Sequence, residues 1–241
     1  MQTLGKVSLE YSVNINTEDT AVIIVAAGSA SRMQGINKIF LPLLNVPVIV
    51  RTVRAFETAG FNNIVVVTKD EDILKMQNLF SEYNVNSVTD IVCGGATRGE
   101  SVLNGINKIK NKKYLLIHDG ARPLIKPSVI LKVREALNNN KGAVAATKVT
   151  DTIKKIDENG NIVATVNRDE LLSVQTPQGF WLESYLEALN GVDVTKITDD
   201  CAVLENAGIS IYPVIDDKEN IKITTKEDIF LAEVILKGRG E

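Results

Sequence analysis

The sequence predicts an α/β protein built on a doubly wound, mostly parallel sheet, and three observations carry that prediction. Apolar runs without polar alternation recur at residues 21–26, 64–67, 114–117 and 143–146, as in strands buried on both faces of a parallel sheet. Segments of helical periodicity lie between them, which implies right-handed crossovers. Small or charged motifs stand at the ends of the runs, where ligands of such sheets bind.

Taken in order, the first run leads into Ala26-Ala27-Gly28 and a polar stretch ending at Lys38. Ile49, Val53 and Phe56 then repeat at helical spacing and stop at Gly60. Thr68 with Glu71, and Thr97 with Glu100, read as capping boxes opening two further helices, and Pro127 sits where a first helical turn tolerates it. The regularity breaks after Val149. Asn159-Gly160, a strong hairpin signal, lies between the half-polar segments 152–156 and 162–166, so a β-arm is expected to project at about residues 148–170. A ribbon that small is marginal alone, and a second copy of the chain is the simplest surface for it to pack on. Helical patterns return at Leu182, Leu186 and Leu189, at residues 203–207 with Gly208 as a stop, and at residues 229–236. Residues 220–225 read as a short strand, with Lys222 facing opposite to Ile221 and Ile223. No internal repeat, low-complexity segment or linker interrupts this single domain over residues 21–238, and residues 1–20 form an extension without an assigned role.

Composition narrows the function. The chain has 241 residues, 44% of them hydrophobic, which is enough for a sizeable core. A net charge of −3 offers no global attraction to nucleic acid or anionic lipid, so phosphate-binding cations must be local and few. No apolar span is long enough for a membrane helix, and the polar N-terminus lacks a signal-peptide pattern, so a cytoplasmic protein is expected. Cys93, Cys201 and one histidine cannot assemble a structural zinc site by themselves, and both thiols read as buried and free.

The motifs at the strand ends look like a nucleoside triphosphate site. In Ala26-Ala27-Gly28-Ser29-Ala30-Ser31-Arg32-Met33, small residues let backbone amides approach phosphate oxygens, while Arg32 and Lys38 supply positive charge. Gly94-Gly95-Ala96-Thr97-Arg98, with Ser101 on the helix beyond, suits close approach to a base or sugar, or equally a loop that needs positive φ. In His118-Asp119-Gly120-Ala121-Arg122-Pro123, the carboxylate can hold a ribose hydroxyl or Mg²⁺, whereas His118 reads as a hydrogen-bonded structural residue. Lys222 faces either a cleft or solvent. Arg168, Thr176 and Gln178 suit a phosphomonoester, although an Arg168–Asp169 salt bridge would also account for Arg168.

These motifs, with Asp151-Thr152, Gln175-Thr176-Pro177-Gln178, Thr198-Asp199-Asp200 and Asn220-Ile221-Lys222-Ile223-Thr224, resemble the 2-C-methyl-D-erythritol 4-phosphate cytidylyltransferase family in order from about Ala21 to Leu236. The resemblance implies a Rossmann-like nucleotidyltransferase sheet and transfer of CMP from CTP to a methylerythritol phosphate with release of pyrophosphate, in the non-mevalonate route to isoprenoids. It also implies Mg²⁺ and a homodimer with exchanged β-arms. Ser31 departs from the family by standing where many members have another basic residue.

Together, the resemblance and the chemistry imply in-line attack by the acceptor phosphate on the α-phosphorus of CTP. The nucleophile is already anionic, so the barrier is charge crowding rather than proton removal. Arg32, Lys38 and Lys222 would meet that charge. Ala26, Ala27, Gly28, Ser29, Gly94, Gly95, Ala96, Ser101 and Gly120 would hold the nucleotide, and Asp119 the ribose or metal. Arg122, Thr152, Arg168 and Thr176 would bind the polyol phosphate, some from the partner subunit. A ribitol 5-phosphate cytidylyltransferase is the nearest alternative, differing in the acceptor pocket. A His118-based hydrolase lacks a Gly-x-Ser-x-Gly elbow. A non-catalytic nucleotide-binding module needs no such set of cations, and its Gly-x-Gly-x-x-Gly spacing is missing from the first loop.

Overall fold

The computed structural model describes residues 15–28 and 37–241. Seven strands form the central sheet: β1 (Thr20–Val25), β4 (Ile64–Thr68), β5 (Val88–Cys93), β6 (Tyr114–Asp119), β7 (Gly142–Lys148), β10 (Leu172–Trp181) and β11 (Ile211–Ile215), in the order β11-β7-β10-β6-β1-β4-β5. Pairing is parallel except at β10, which lies antiparallel between β6 and β7. Two short hairpins lie outside the sheet, β2 (Pro42–Leu43) with β3 (Val46–Pro47) and β8 (Lys154–Ile156) with β9 (Ile162–Thr165).

Helices cover both faces, so the predicted double winding is found. One face carries α1 (Val48–Thr58), α2 (Ile73–Glu82) and α4 (Pro127–Ala136), whose Val53, Phe56, Met76 and Ile130 pack with Val22, Ile24 and Leu116 of the strands. The other carries α3 (Arg98–Ile106), α5 (Leu182–Leu189) and α6 (Cys201–Asn206), whose Val102, Tyr185 and Leu204 pack with Ile23, Leu115 and Ile117. Alternate residues of one strand thus enter opposite cores, which is why the runs show no polar alternation. A third cluster seats α7 (Lys226–Gly238) through Ala232 and Leu236 on Leu43, Leu124 and Ile223. Among the described residues, no helix is long and apolar enough to cross a membrane.

Several local expectations change. The Thr97/Glu100 capping box is present, but Thr68 ends β4 and caps nothing; α2 starts later, behind a 3-10 turn at Asp70–Asp72. The strand expected at residues 220–225 is not formed, although Ile223 N–H donates to the Ala121 carbonyl at 2.8 Å. Their alternation still holds, since Ile223 is buried and Lys222 exposed. Cys93 is exposed, and only Cys201 is buried. The hairpin closes over Asp157–Asn161 rather than two residues: Asp157 Oδ1 accepts from Asn159 N–H and Asn161 N–H, and Gly160 takes φ +83°.

Candidate active site

The carboxyl ends of β1, β5 and β6 open onto one cleft of about 490 Å³, on the side of the sheet where the fold places ligands. Ala26, Ala27 and Gly28 continue from β1, and Gly95, Ala96, Thr97, Arg98 and Ser101 follow β5 into α3. Asp119 ends β6, and Lys38, Lys222 and Thr224 complete the lining. The cleft therefore gathers most of the residues predicted to hold the nucleotide, with two of the three predicted cations. Ser29, Ser31 and Arg32 lie outside the described residues.

Close approach, not positive φ, explains the glycine pair. Neither Gly94 nor Gly95 has positive φ. A Cβ on Gly94 would lie 2.5 Å from that of Ala27, and one on Gly95 2.3 Å from that of Glu100. Gly94 N–H donates to the Thr68 carbonyl at 2.8 Å. Gly95 N–H donates to Ser101 Oγ at 3.1 Å, and that hydroxyl donates to the Thr97 carbonyl at 2.9 Å. Ser101 thus shapes the loop that lines the cleft. Gly120 stands behind the cleft: its N–H donates to the Val25 carbonyl, and its own carbonyl accepts from Thr52 Oγ1 at 2.9 Å.

Asp119 is the only carboxylate lining the cleft among the described residues, and cations surround it. Lys222 Nζ lies 2.8 Å from Oδ2, Arg122 Nε 3.5 Å from Oδ2, and Arg98 NH2 3.8 Å from Oδ1. Burial pushes this carboxyl up, but Lys222, Arg98 and Arg122 outweigh it and hold its pKa at about 2. No cluster of three or more His, Cys, Asp or Glu residues poised for a metal occurs among the described residues.

Behind Asp119 runs a chain of hydrogen bonds with one direction. Asp119 N–H donates to Thr176 Oγ1 at 3.1 Å, Thr176 pairs with His118 Nδ1 at 3.0 Å, and His118 Nε2 pairs with the Arg122 carbonyl at 3.2 Å. A carbonyl can only accept, so Nε2 carries the proton and Nδ1 accepts from the Thr176 hydroxyl. Burial lowers the His118 pKa to about 4, which fits a neutral ring edge-on to Phe56 at 5.0 Å. His118 is structural, as the sequence indicated. Thr176 is 4% exposed and its hydroxyl is occupied, so it bears on the site by fixing Asp119.

The later motifs form the scaffold. Gln178 accepts from Cys201 N–H at 3.1 Å and donates to Asp199. Asn220 donates to Gln175 Oε1 and to the Thr176 carbonyl, each at 2.9 Å, and its own carbonyl accepts from Arg122 at 2.8 Å. Together with the Ile223–Ala121 bond, this holds the segment bearing Lys222 beside β6. Thr152 and Arg168 do not line the cleft of the protomer; both are exposed, and Arg168 donates to the Thr150 carbonyl at 2.7 Å rather than pairing with Asp169.

Sequence reasoning assigned no site role to Asn37, Arg98, Asp200 or Thr224. Arg98 carried a signal, since it opens a helix just after the glycine pair. Asp200 belongs to the Thr198-Asp199-Asp200 motif of the resemblance, but no role could be assigned to it from sequence, because its burial against Arg98 appears only in the fold.

Comparisons with known proteins show what the whole chain is similar to. The family model for IspD, 2-C-methyl-D-erythritol 4-phosphate cytidylyltransferase, matches residues 20–238. A relative of that name from Clostridium novyi (strain NT) is 40% identical over 223 residues, covering 90% of this chain and 96% of its own. Another from Dehalococcoides mccartyi (strain CBDB1) is 38% identical over 221 residues, covering 91% and 97%. The crystal structure of 4-diphosphocytidyl-2C-methyl-D-erythritol synthase from Anaerococcus prevotii DSM 20548 superposes with a TM-score of 0.78 at 29% identity, covering 90% of this chain and 98% of that one.

Proposed function

The chain belongs to the 2-C-methyl-D-erythritol 4-phosphate cytidylyltransferase family, and we infer that it transfers CMP from CTP to 2-C-methyl-D-erythritol 4-phosphate, releasing pyrophosphate, in isoprenoid precursor synthesis in the cytoplasm. It is a nucleotidyltransferase. The ribitol phosphate alternative is not favoured, because the matched relatives carry the methylerythritol name.

The observation that carries the reading is the ionic centre of Asp119 with Lys222, Arg98 and Arg122 at the mouth of a cleft walled by small residues. An oxygen of the acceptor phosphate attacks the α-phosphorus of CTP; the new P–O bond forms as the bond to the β-phosphate oxygen breaks, and pyrophosphate leaves with that electron pair. No side chain need take a proton. The protein's part is to fix the two phosphates in line and to meet negative charge that grows on the leaving oxygen and around phosphorus. Lys38, Lys222 and Arg32 are assigned that work. Ala26, Ala27, Gly28, Ser29, Gly94, Gly95, Ala96 and Ser101 seat the nucleotide, with Gly120 supporting them from behind.

A lone carboxylate at a phosphate site suits Mg²⁺, which prefers one or two carboxylates plus substrate phosphates to an all-protein cage. Asp119 would hold it, and the bound ion would neutralise phosphate charge. With three cations already around that carboxylate, the ion is expected to enter with the triphosphate rather than before it.

Arg122, Thr152 and Arg168 are assigned to the acceptor, with Thr176 acting through Asp119. Thr152 and Arg168 stand at the base of the β8–β9 hairpin, and Ile156, Ile162 and Val163 farther out towards its turn are 55% or more exposed. Apolar exposure on so small a ribbon supports a homodimer in which each arm packs on its neighbour and brings Thr152 and Arg168 to the partner's cleft. Acceptor-dependent release of pyrophosphate tests the activity, and light scattering tests the dimer.

A further inference from the structure

Arg98 stands between two carboxylates of very different surroundings. Asp119 is at the cleft, with Oδ1 3.8 Å from Arg98 NH2. Asp200 has no exposed surface and does not line the cleft; its Oδ2 takes Arg98 NH1, and its Oδ1 accepts from Tyr185 OH at 3.1 Å.

We propose that Asp200 is a positioning residue that holds the Arg98 guanidinium beside Asp119 and withholds it from the phosphates of the nucleotide. The proposal rests on reading the cleft as the nucleotide site. A fully buried carboxylate is costly unless its charge is matched and its oxygens are bonded, and here both conditions are met by one arginine and one tyrosine. Both backbones are fixed as well. Cys201 N–H, next to Asp200, donates to Gln178 Oε1 at 3.1 Å. Arg98 opens α3 behind the Thr97/Glu100 capping box, and the Gly99 beside it is packed so that a Cβ would fall 2.1 Å from the Val194 carbonyl oxygen. The side chain of Arg98 therefore has little choice while Asp200 is charged.

Without that charge, the strongest anion within reach of Arg98 in the liganded cleft is the triphosphate, which a guanidinium binds in a two-point grip. Arg98 would then strengthen binding of CTP while deserting Asp119. Tight binding of the ground state does nothing for turnover, and a firmer hold on pyrophosphate opposes it. Lost packing alone would weaken CTP binding instead, so affinity and turnover separate the two cases.

The test is Asp200→Asn, with the CTP dissociation constant measured by calorimetry and kcat by pyrophosphate release. The expected result is CTP binding tighter by about fivefold, the effect of one partly screened charge, with kcat lower by about tenfold or more. Unchanged or weaker CTP binding in a protein with the parent's circular dichroism overturns the proposal. Should Asp200→Asn not fold, Arg98→Lys keeps the buried ion pair with a cation too short to serve both carboxylates. It should lower kcat by about tenfold with CTP affinity within roughly twofold of the parent, and a kcat within twofold of the parent overturns the idea. A parent that binds CTP but does not turn over the acceptor refutes the proposed reaction alone, because the shift in CTP affinity still tests Asp200. A parent that does not bind CTP refutes both.

Discussion

Lys222 Nζ rests 2.8 Å from Asp119 Oδ2, so in the free protein the cation assigned to the CTP phosphates is already held at the mouth of the cleft by the carboxylate assigned to the ribose or metal. The pairing places a charge before any ligand arrives, which is the preorganisation that transition-state stabilisation requires. It also means that ligand entry redistributes contacts among fixed groups rather than assembling them.

Changing Lys222 to Ala should therefore lower kcat by about a hundredfold or more while the protein stays folded, as loss of a preorganised donor does. Steady-state pyrophosphate release with circular dichroism as a control measures this. An unchanged kcat in the folded variant removes Lys222 from the mechanism.

The single histidine of the chain makes a pH prediction specific. Burial lowers the His118 pKa from 6.5 to about 4, so between these values the unfolded chain takes up a proton that the folded protein refuses. Its contribution to stability is thus complete above pH 6.5 and is lost progressively as pH falls towards 4, by about 3 kcal/mol in all. Urea unfolding at pH 6.5 and pH 5 should show a loss of about 2 kcal/mol in the parent, and a clearly smaller one in His118→Gln. Equal losses in the two proteins would show that His118 is not held neutral.

Thr176 offers a test of positioning. Thr176→Val removes the hydroxyl that joins His118 to the Asp119 amide, whereas Thr176→Ser keeps it. The expected result is kcat lower by about tenfold in the valine protein, since a buried acceptor is lost without a replacement, and near-parental activity in the serine protein. Similar losses in both would point to the methyl group and to packing instead.

The arm is tested through Arg168. Its replacement by Ala should weaken methylerythritol phosphate binding far more than CTP binding, measured by calorimetry, because a charged phosphate contact is lost away from the nucleotide. Mixing Arg168→Ala chains with Lys222→Ala chains should restore activity if the two residues of one site come from different subunits. A fully active monomer would contradict the shared site.

What the sequence made legible follows from what it buries. β1, β4, β6 and β7 could be read because both faces of each are covered, so an unbroken apolar run is the only pattern available to them. β10 could not. Its central residues Gln175, Thr176, Pro177 and Gln178 are polar or lack an N–H, and they are accommodated because the side chains bond to His118, Asp199 and Asn220, which periodicity does not reveal. β11 is an edge strand with Pro213 within it and Tyr212 and Ile215 exposed, and so gave no core signal. Among the candidate site residues, those at the ends of apolar runs were visible, and Asp119 and Lys222 line one cleft, but the ion pair between them was not read from their motifs. Asp200 was hidden because its significance comes from burial against Arg98, a contact across more than one hundred residues.

Acceptor-dependent transfer at this cleft separates the proposed reaction from its alternatives. Purified protein with Mg²⁺ and CTP should release pyrophosphate when 2-C-methyl-D-erythritol 4-phosphate is added, with far less release for ribitol 5-phosphate and none beyond background without an acceptor. Release at the same rate without an acceptor, or a clear preference for ribitol 5-phosphate, would contradict it.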